Sequence, residues 1–201
     1  MAELTHLDPE GRPKTVRARS QAKPEIEATP NPGAGMAELT HLDPEGRPKM
    51  VDVSAKAVTR RLAVAAGYLE LDVPAAEALA KGGGPKGDPW SVARLGAVGG
   101  VKRASDLIPL AHPLAIEAVD VLHHWDPVAR RAWLRVAVSC EGRTGIEMEA
   151  LAGVTVGLLV LYDMLKAVSH GMAIGPARLL RKEGGRRGTV TLPWADCPWE
   201  P

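Results

Sequence analysis

The sequence predicts an α+β domain in which helices pack on one face of an antiparallel sheet. Three observations carry this. Stretches of strand character alternate with stretches of helical period in the order β-α-α-β-β-α-β. The two middle strands are parted only by a turn around Asp126-Pro127, as in a hairpin. A long apolar run of helical period then precedes the last main strand.

Taken in order, Met50 to Lys56 alternates Val51 and Val53 with Asp52 and Ser54, which reads as a short extended segment. Leu62 to Leu71 is rich in Ala, Val and Leu and leans to strand. Pro74 opens a short helix through Ala80, ended by Lys81 and a run of glycines. Pro89 to about Ser105 reads as a helix with a face of small residues, Gly96, Gly99 and Gly100 among them. Ile116 to Leu122 and Ala132 to Val138 are the hairpin strands, with His123 to Arg131 as their connection. His123 and His124 lack a further ligand at metal spacing, so a metal site is not expected there.

The long helix begins at about Met148. Met148, Leu151, Val154, Thr155, Leu158, Leu159, Tyr162 and Leu165 recur at helical spacing. Gly153 and Gly157 lie on it, where glycines suit a close backbone approach. Glu147 and Glu149 stand in its first turn, where carboxylates suit the helix dipole. Asp163 and Lys166 stand three apart near its end, on one face. Taken alone, that pair reads as an ordinary surface ion pair. Met172 to Leu180 is a further strand, Lys182 to Gly188 a basic glycine-rich turn, and Thr189 to Leu192 a short strand. The element order is that of the split βαβ, or ferredoxin-like, arrangement.

Composition bounds the rest. With 201 residues and an apolar fraction of 45%, the chain can bury a sizeable core. There is no Phe, so small aliphatic side chains must do most of the packing. A net charge of +1 argues against general binding to nucleic acid or acidic membrane. Cys140 and Cys197 make neither a disulfide framework nor a metal cluster. The polar N-terminus does not read as a signal peptide, and the apolar run at 150–162 reads as too short for a membrane span. A cytoplasmic protein is the expectation.

Residues 1–14 recur unchanged as residues 36–49, parted by a segment rich in Pro, Ala and charge. Fourteen residues are too few to bury a core of their own. The expected organisation is therefore a flexible extension at 1–35, one domain at 36–192 and a disordered tail at 193–201.

Several basic stretches surround a few acids. Lys86 sits among glycine and turn residues, and the Walker spacing for a phosphate loop is absent. His112 is bracketed by Pro109 and Pro113, which stiffen the backbone around it. Lysines beside glycine turns suit a polyphosphate, and lysine with a carboxylate and a held histidine suits stepwise proton transfer.

Six motifs in one order now carry a resemblance. VDVSAK (51–56), KGD (86–88), DLIPLAHPL (106–114), TGIEMEAL (144–151), LYDMLKAV (161–168) and RLLRKEGGRRG (178–188) resemble the MoaC-type cyclic pyranopterin monophosphate synthases. The resemblance covers roughly residues 36–190. It implies a ferredoxin-like lyase acting early in molybdenum cofactor biosynthesis. The substrate would be 3′,8-cyclo-7,8-dihydroguanosine 5′-triphosphate, and the products cyclic pyranopterin monophosphate and diphosphate. It implies Asp163, Lys86, Lys166, His112, Glu147 and Glu149 as catalytic residues. As substrate-binding residues it implies Leu110, Ala111, His112, Met148, Glu149, Lys56, Arg61 and Lys182. It assigns no metal ligand and no cofactor, leaves open whether Mg²⁺ accompanies the triphosphate, and implies a homohexamer built as a trimer of dimers. The family commonly carries a cysteine where Ala111 stands, which leaves the histidine assignment intact. The same residues also fit a nucleotide- or pterin-binding module without turnover, or a structural oligomer whose charges are ion pairs.

One expectation concerns assembly. Glu149 and Asp163 lie 14 positions apart on one helix, roughly 21 Å along its axis. A small site would draw one from each of two subunits, with the Gly153 and Gly157 face near the interface.

Overall fold

The structure is a computed structural model that describes residues 42, 43, 45–83 and 86–201. Residues 1–35, read above as an extension, lie outside the described residues. The elements are β1 (Thr59–Glu70), α1 (Val73–Ala80), α2 (Pro89–Lys102), α3 (Ala104–Leu107), β2 (Ala118–Asp126), β3 (Arg131–Gly142), α4 (Glu147–Leu165), β4 (Ala173–Glu183) and β5 (Val190–Thr191). The strands form one antiparallel sheet in the order β2-β3-β1-β4-β5. Its four long strands keep the ferredoxin-like order, and the helices pack on one face.

Alternation along β1 sets the two faces. Ala63, Ala65 and Leu69 enter the helix-side core, while Val64 and Ala66 belong to a smaller cluster on the outer face. A Cβ on Gly67 would come within 2.8 Å of Val154 and 3.1 Å of Leu158, so α4 crosses the sheet where β1 has no side chain. Helix α2 lies beside α4, with Gly96 against Val160 and Gly100 against Val156 and the Ala152 carbonyl. The starts of α1 and α2 are capped as their sequences suggest. Asp72 accepts from the Ala75 amide and Asp88 from the Trp90 and Ser91 amides, each just before a proline-bearing first turn.

The structure departs from the sequence reading at several places. Met50 to Lys56 is not a strand: Asp52 accepts from the Ser54 amide, and the Lys56 amide donates to the Val53 carbonyl, folding the chain into a turn. The first strand is β1, which starts at Thr59, before the expected Leu62. The hairpin is tighter than expected, because β2 continues through His123 and His124 to Asp126. There the Asp126 carboxylate accepts from the Val128 and Ala129 amides and closes a four-residue turn with Arg130 at φ 51°. Lys182 belongs to β4 rather than to the turn after it.

Residues 193–201 are not a loose tail. Trp194, Cys197 and Trp199 pack on the outer cluster of Val64, Ala66 and Leu180, because an aromatic surface from Tyr68 and Trp133 meets them there. Gly153 and Gly157 face inward, against Val101 and Val136 and against Leu134 and Ala97, so they serve packing within the chain rather than an outer interface. The apolar helix keeps the span its period suggests, Glu147–Leu165, which is longer than the 150–162 run read as too short for a membrane. By length and composition α4 is able to span a bilayer, yet more than half of it is buried inside the protein as its central core helix.

Candidate active site

At the N-terminal end of α4 two adjoining cavities open. The larger, about 640 Å³, lies between the start of β1, the end of β4 and the 143–146 turn. Lys56, Arg61, Arg143, Lys182, Arg186 and Arg187 line it, with only Glu147 and Glu183 as acids. The smaller, about 240 Å³, is lined by Leu110, Ala111, His112, Met148 and Glu149 together with Val51 and Val53. Lys56, Thr144, Gly145 and Glu147 border both.

Local structure explains each placement. Arg61 is buried on β1, and its Nε donates to the Gly142 carbonyl at 3.1 Å. Its guanidinium lies under Gly185, where a Cβ would stand 2.4 Å from Nη1. Gly184 and Gly185 adopt φ of 91° and 74°, which lets the loop after β4 fold down on this arginine. Arg143 Nε donates to the Lys56 carbonyl at 3.1 Å and holds the Lys56 turn at the cavity rim. Lys182 projects from β4, with its ammonium 2.7 Å from Glu147 Oε1. The Glu147 carboxylate lies so close over Gly145 that any side chain there would displace it. His112 is half-buried on the segment that its two prolines stiffen.

Glu149 differs from its neighbours. It is 4% exposed, and burial pushes its carboxyl above the ordinary glutamate range, with the Glu147 charge adding to the shift. A carboxyl whose ionisation burial disfavours thus lines the smaller cavity, beside a strongly cationic larger one.

The other end of α4 carries a second cluster. Asp163 Oδ2 accepts from Lys86 Nζ at 2.9 Å, its backbone carbonyl accepts from the same ammonium at 3.0 Å, and Oδ1 meets Lys166 Nζ at 2.6 Å. Hydrogen bonds from Lys166 and Lys86 hold the Asp163 carboxyl down to about 2. The Lys166 ammonium is correspondingly raised by Asp163.

The structure therefore brings together Lys56, Arg61, Leu110, Ala111, His112, Glu147, Met148, Glu149 and Lys182 at one end of α4. It brings together Lys86, Asp163 and Lys166 at the other. It does not unite the two groups within one chain, since α4 runs unbroken from Glu147 to Leu165 between them. The sequence reading singles out none of Arg143, Glu183, Arg186 and Arg187 as a site residue, although the last three lie within its basic glycine-rich turn. Their pairing with Gly142, Gly184 and Gly185 was the available signal. Among the described residues no group of three His, Cys, Asp or Glu is placed to hold a metal ion. His123 stacks on Trp90 at 4.5 Å, whereas its neighbour His124 approaches Trp199 at 6.3 Å.

Fold and cavities together define a ferredoxin-like α+β domain with a cationic cleft beside a smaller cavity that carries His112 and Glu149. Comparison with known proteins makes the assignment specific. The model of the MoaC family matches residues 50–185. A cyclic pyranopterin monophosphate synthase of Rhodospirillum rubrum is 48% identical over 140 residues, covering 70% of this chain and 84% of the relative. Cyclic pyranopterin monophosphate synthase 2 of Mycobacterium tuberculosis is 46% identical over 142 residues, covering 70% and 83%. The Parvibaculum lavamentivorans synthase is 48% identical over 137 residues, covering 68% and 86%. The chain belongs to the MoaC family.

Proposed function

We propose that this protein is a cyclic pyranopterin monophosphate synthase, a phosphorus–oxygen lyase of molybdenum cofactor biosynthesis. It converts 3′,8-cyclo-7,8-dihydroguanosine 5′-triphosphate to cyclic pyranopterin monophosphate and diphosphate. The observation that carries this reading is the pair of joined cavities within the family-matched span. One is lined by six cations, and the other by a half-buried histidine and a buried, protonatable glutamate.

Closing a cyclic phosphate and expelling diphosphate builds negative charge on the leaving oxygens. Arg61, Lys56 and Lys182 are held where they neutralise it without reorganising. Rebuilding the rings moves protons at carbon and nitrogen. Glu149 and His112 serve that chemistry at the smaller cavity, with Glu147 steering Lys182. Asp163 is too weak a base to remove a proton readily while both lysines hold it. Its part is to orient Lys86 and Lys166, whose ammoniums act as acids and as phosphate contacts. Incubating the purified chain with the cyclised triphosphate should release diphosphate and form the pterin product. Binding of that triphosphate without diphosphate release would refute an enzyme and leave a binding module.

The site is shared between subunits in this reading, within a cytoplasmic homohexamer of three dimers whose catalytic domain spans 36–192. The outward stripe of α4 supports the sharing. Met148, Ala152, Thr155, Leu159, Tyr162 and Lys166 follow one line, with Met148 41% and Leu159 56% exposed. That line is symmetric about Gly157, so a second copy packed antiparallel would set Thr155 beside Leu159 and Met148 beside Lys166. Such packing brings the Glu149 end of one helix to the Asp163 end of the other.

A further inference from the structure

The C-terminal strap beyond the family-matched span has a role that reaches the larger cavity. We propose that Trp194 is a positioning residue, anchoring the strap so that the Gly184–Gly188 loop is held over Arg61 and the phosphate-binding cavity. The inference rests on the reading of that cavity as the phosphate site.

The loop 184–189 is glycine-rich, with Gly184, Gly185 and Gly188 all at positive φ. Such a segment loses the most backbone freedom when it orders, so it needs firm ends. Its upstream end is secured, because β4 pairs with β1 as far as Glu183. Its downstream end has only β5, two residues that pair Val190 with Lys182 and Thr191 with Arg181, and the Leu192 amide donating to the Leu180 carbonyl at 2.7 Å. Two residues of ladder make a weak tether.

The strap supplies what the ladder lacks. Trp194 packs against Trp133 at 5.0 Å and Tyr68 at 6.0 Å, on the sheet face opposite the helices. The Arg178 guanidinium lies 4.7 Å over its ring. Asp196 meets Arg131 at 3.7 Å, and Arg131 itself lies over Tyr68. The anchor therefore stands on rigid strands, two residues beyond the last ladder hydrogen bond. Lys182 faces the cavity from β4, directly opposite Val190 of the tethered segment. Loosening the strap frees the loop, uncovers Arg61 and weakens the hold on Lys182, while leaving Glu149, His112 and the Asp163 cluster untouched.

The test uses the full chain, with inorganic tripolyphosphate as the binding probe alongside turnover of the cyclised substrate. Trp194→Ala should weaken tripolyphosphate binding and raise KM by about tenfold while kcat stays within about twofold, the signature of lost uniform binding. Trp194→Phe, which keeps an aromatic anchor, should recover most of the affinity. Hydrogen exchange should quicken at the Gly188 and Leu192 amides in Trp194→Ala and stay unchanged in β1 and β3. Should Trp194→Ala fail to fold, Arg178→Met removes only the guanidinium over the ring, and it should weaken binding by about two- to threefold. Unchanged tripolyphosphate affinity in a folded Trp194→Ala, or in Arg178→Met where the first variant does not fold, overturns the proposal. So does a native chain that binds no tripolyphosphate. A native chain that binds tripolyphosphate yet releases no diphosphate from substrate refutes the enzymatic reading alone, and the anchoring is then decided by affinity.

Discussion

Asp163 and Glu149 are two carboxyls whose surroundings push them in opposite directions. Asp163 is half-exposed and holds two ammoniums, which keeps it ionised at neutral pH with its carboxyl at about 2. Glu149 is buried, and burial raises it. The sign of the Glu149 effect follows from linkage. Between the ordinary glutamate value and its raised value, the folded state binds more protons than the unfolded one. Stability from this group is therefore present at low pH and lost as pH rises through that window. Glu149→Gln removes the loss, so at neutral pH its Tm should exceed that of the native chain by about 2 °C or more, with the advantage shrinking as pH falls to about 4. A lower Tm at neutral pH would contradict this account. Lys86 and Lys166 are exposed ammoniums whose contacts, apart from Asp163, lie in no core. Lys86→Ala and Lys166→Ala should each cut turnover by about 100-fold or more with circular dichroism unchanged. Substantial turnover in either variant would remove that lysine from the chemistry.

At the scale of elements, the pair α2 and α4 forms the scaffold of the site. Small residues let the two helices approach closely. A Cβ on Gly100 would stand 2.7 Å from the Ala152 carbonyl and 2.8 Å from Val156 Cβ, neither of which yields easily. On Gly99, one position earlier, a Cβ would meet nothing within 4 Å. Gly100→Ala should therefore destabilise the chain by about 1–3 kcal/mol through overpacking. Gly99→Ala should stabilise it by up to about 1 kcal/mol through helix propensity alone. Thermal or urea unfolding of the two variants checks both signs. Equal effects from the two would mean that α2 does not pack on α4 through Gly100.

The whole molecule raises the question of how twelve proposed site residues form one site when α4 separates them. Assembly answers it, and complementation tests the answer. Glu149→Gln and Asp163→Asn should each be inactive alone. Co-expressed, they should recover about a quarter of the native sites, because random pairing across a two-fold places both intact groups together at that frequency. No recovery, in mixed oligomers shown to have formed, would return the site to a single chain. A second expectation at this scale concerns residues 1–35. They stand before the copy at 36–49 and outside the family-matched span. A chain starting at Met36 should turn over substrate at the native rate, and a loss above about tenfold would give the extension a role.

Much of the fold was legible in the sequence because it is encoded locally. Period 3.6 from Met148 to Leu165, the turn residues between β2 and β3, and the Asp-then-proline starts of α1 and α2 depend on residues a few positions apart. The same holds for the short basic and acidic motifs, whose resemblance to the family needed only their order along the chain. What tertiary structure alone decided were the relations between distant segments. Asp52 turns the chain where alternating valines suggested a strand, and among the described residues no strand pairs with that segment. Gly153 and Gly157 face α2 and the sheet because those surfaces lie on that side of α4, which periodicity cannot report. Trp194 becomes an anchor only because Tyr68, Trp133 and Arg178, from three strands, form one surface beneath it. Arg143 and Arg187 become cavity residues only because the ends of β3 and β4 flank the start of β1. Side-chain spacing fixes an element's period, whereas what each face meets is set by packing among elements that the chain order does not place side by side.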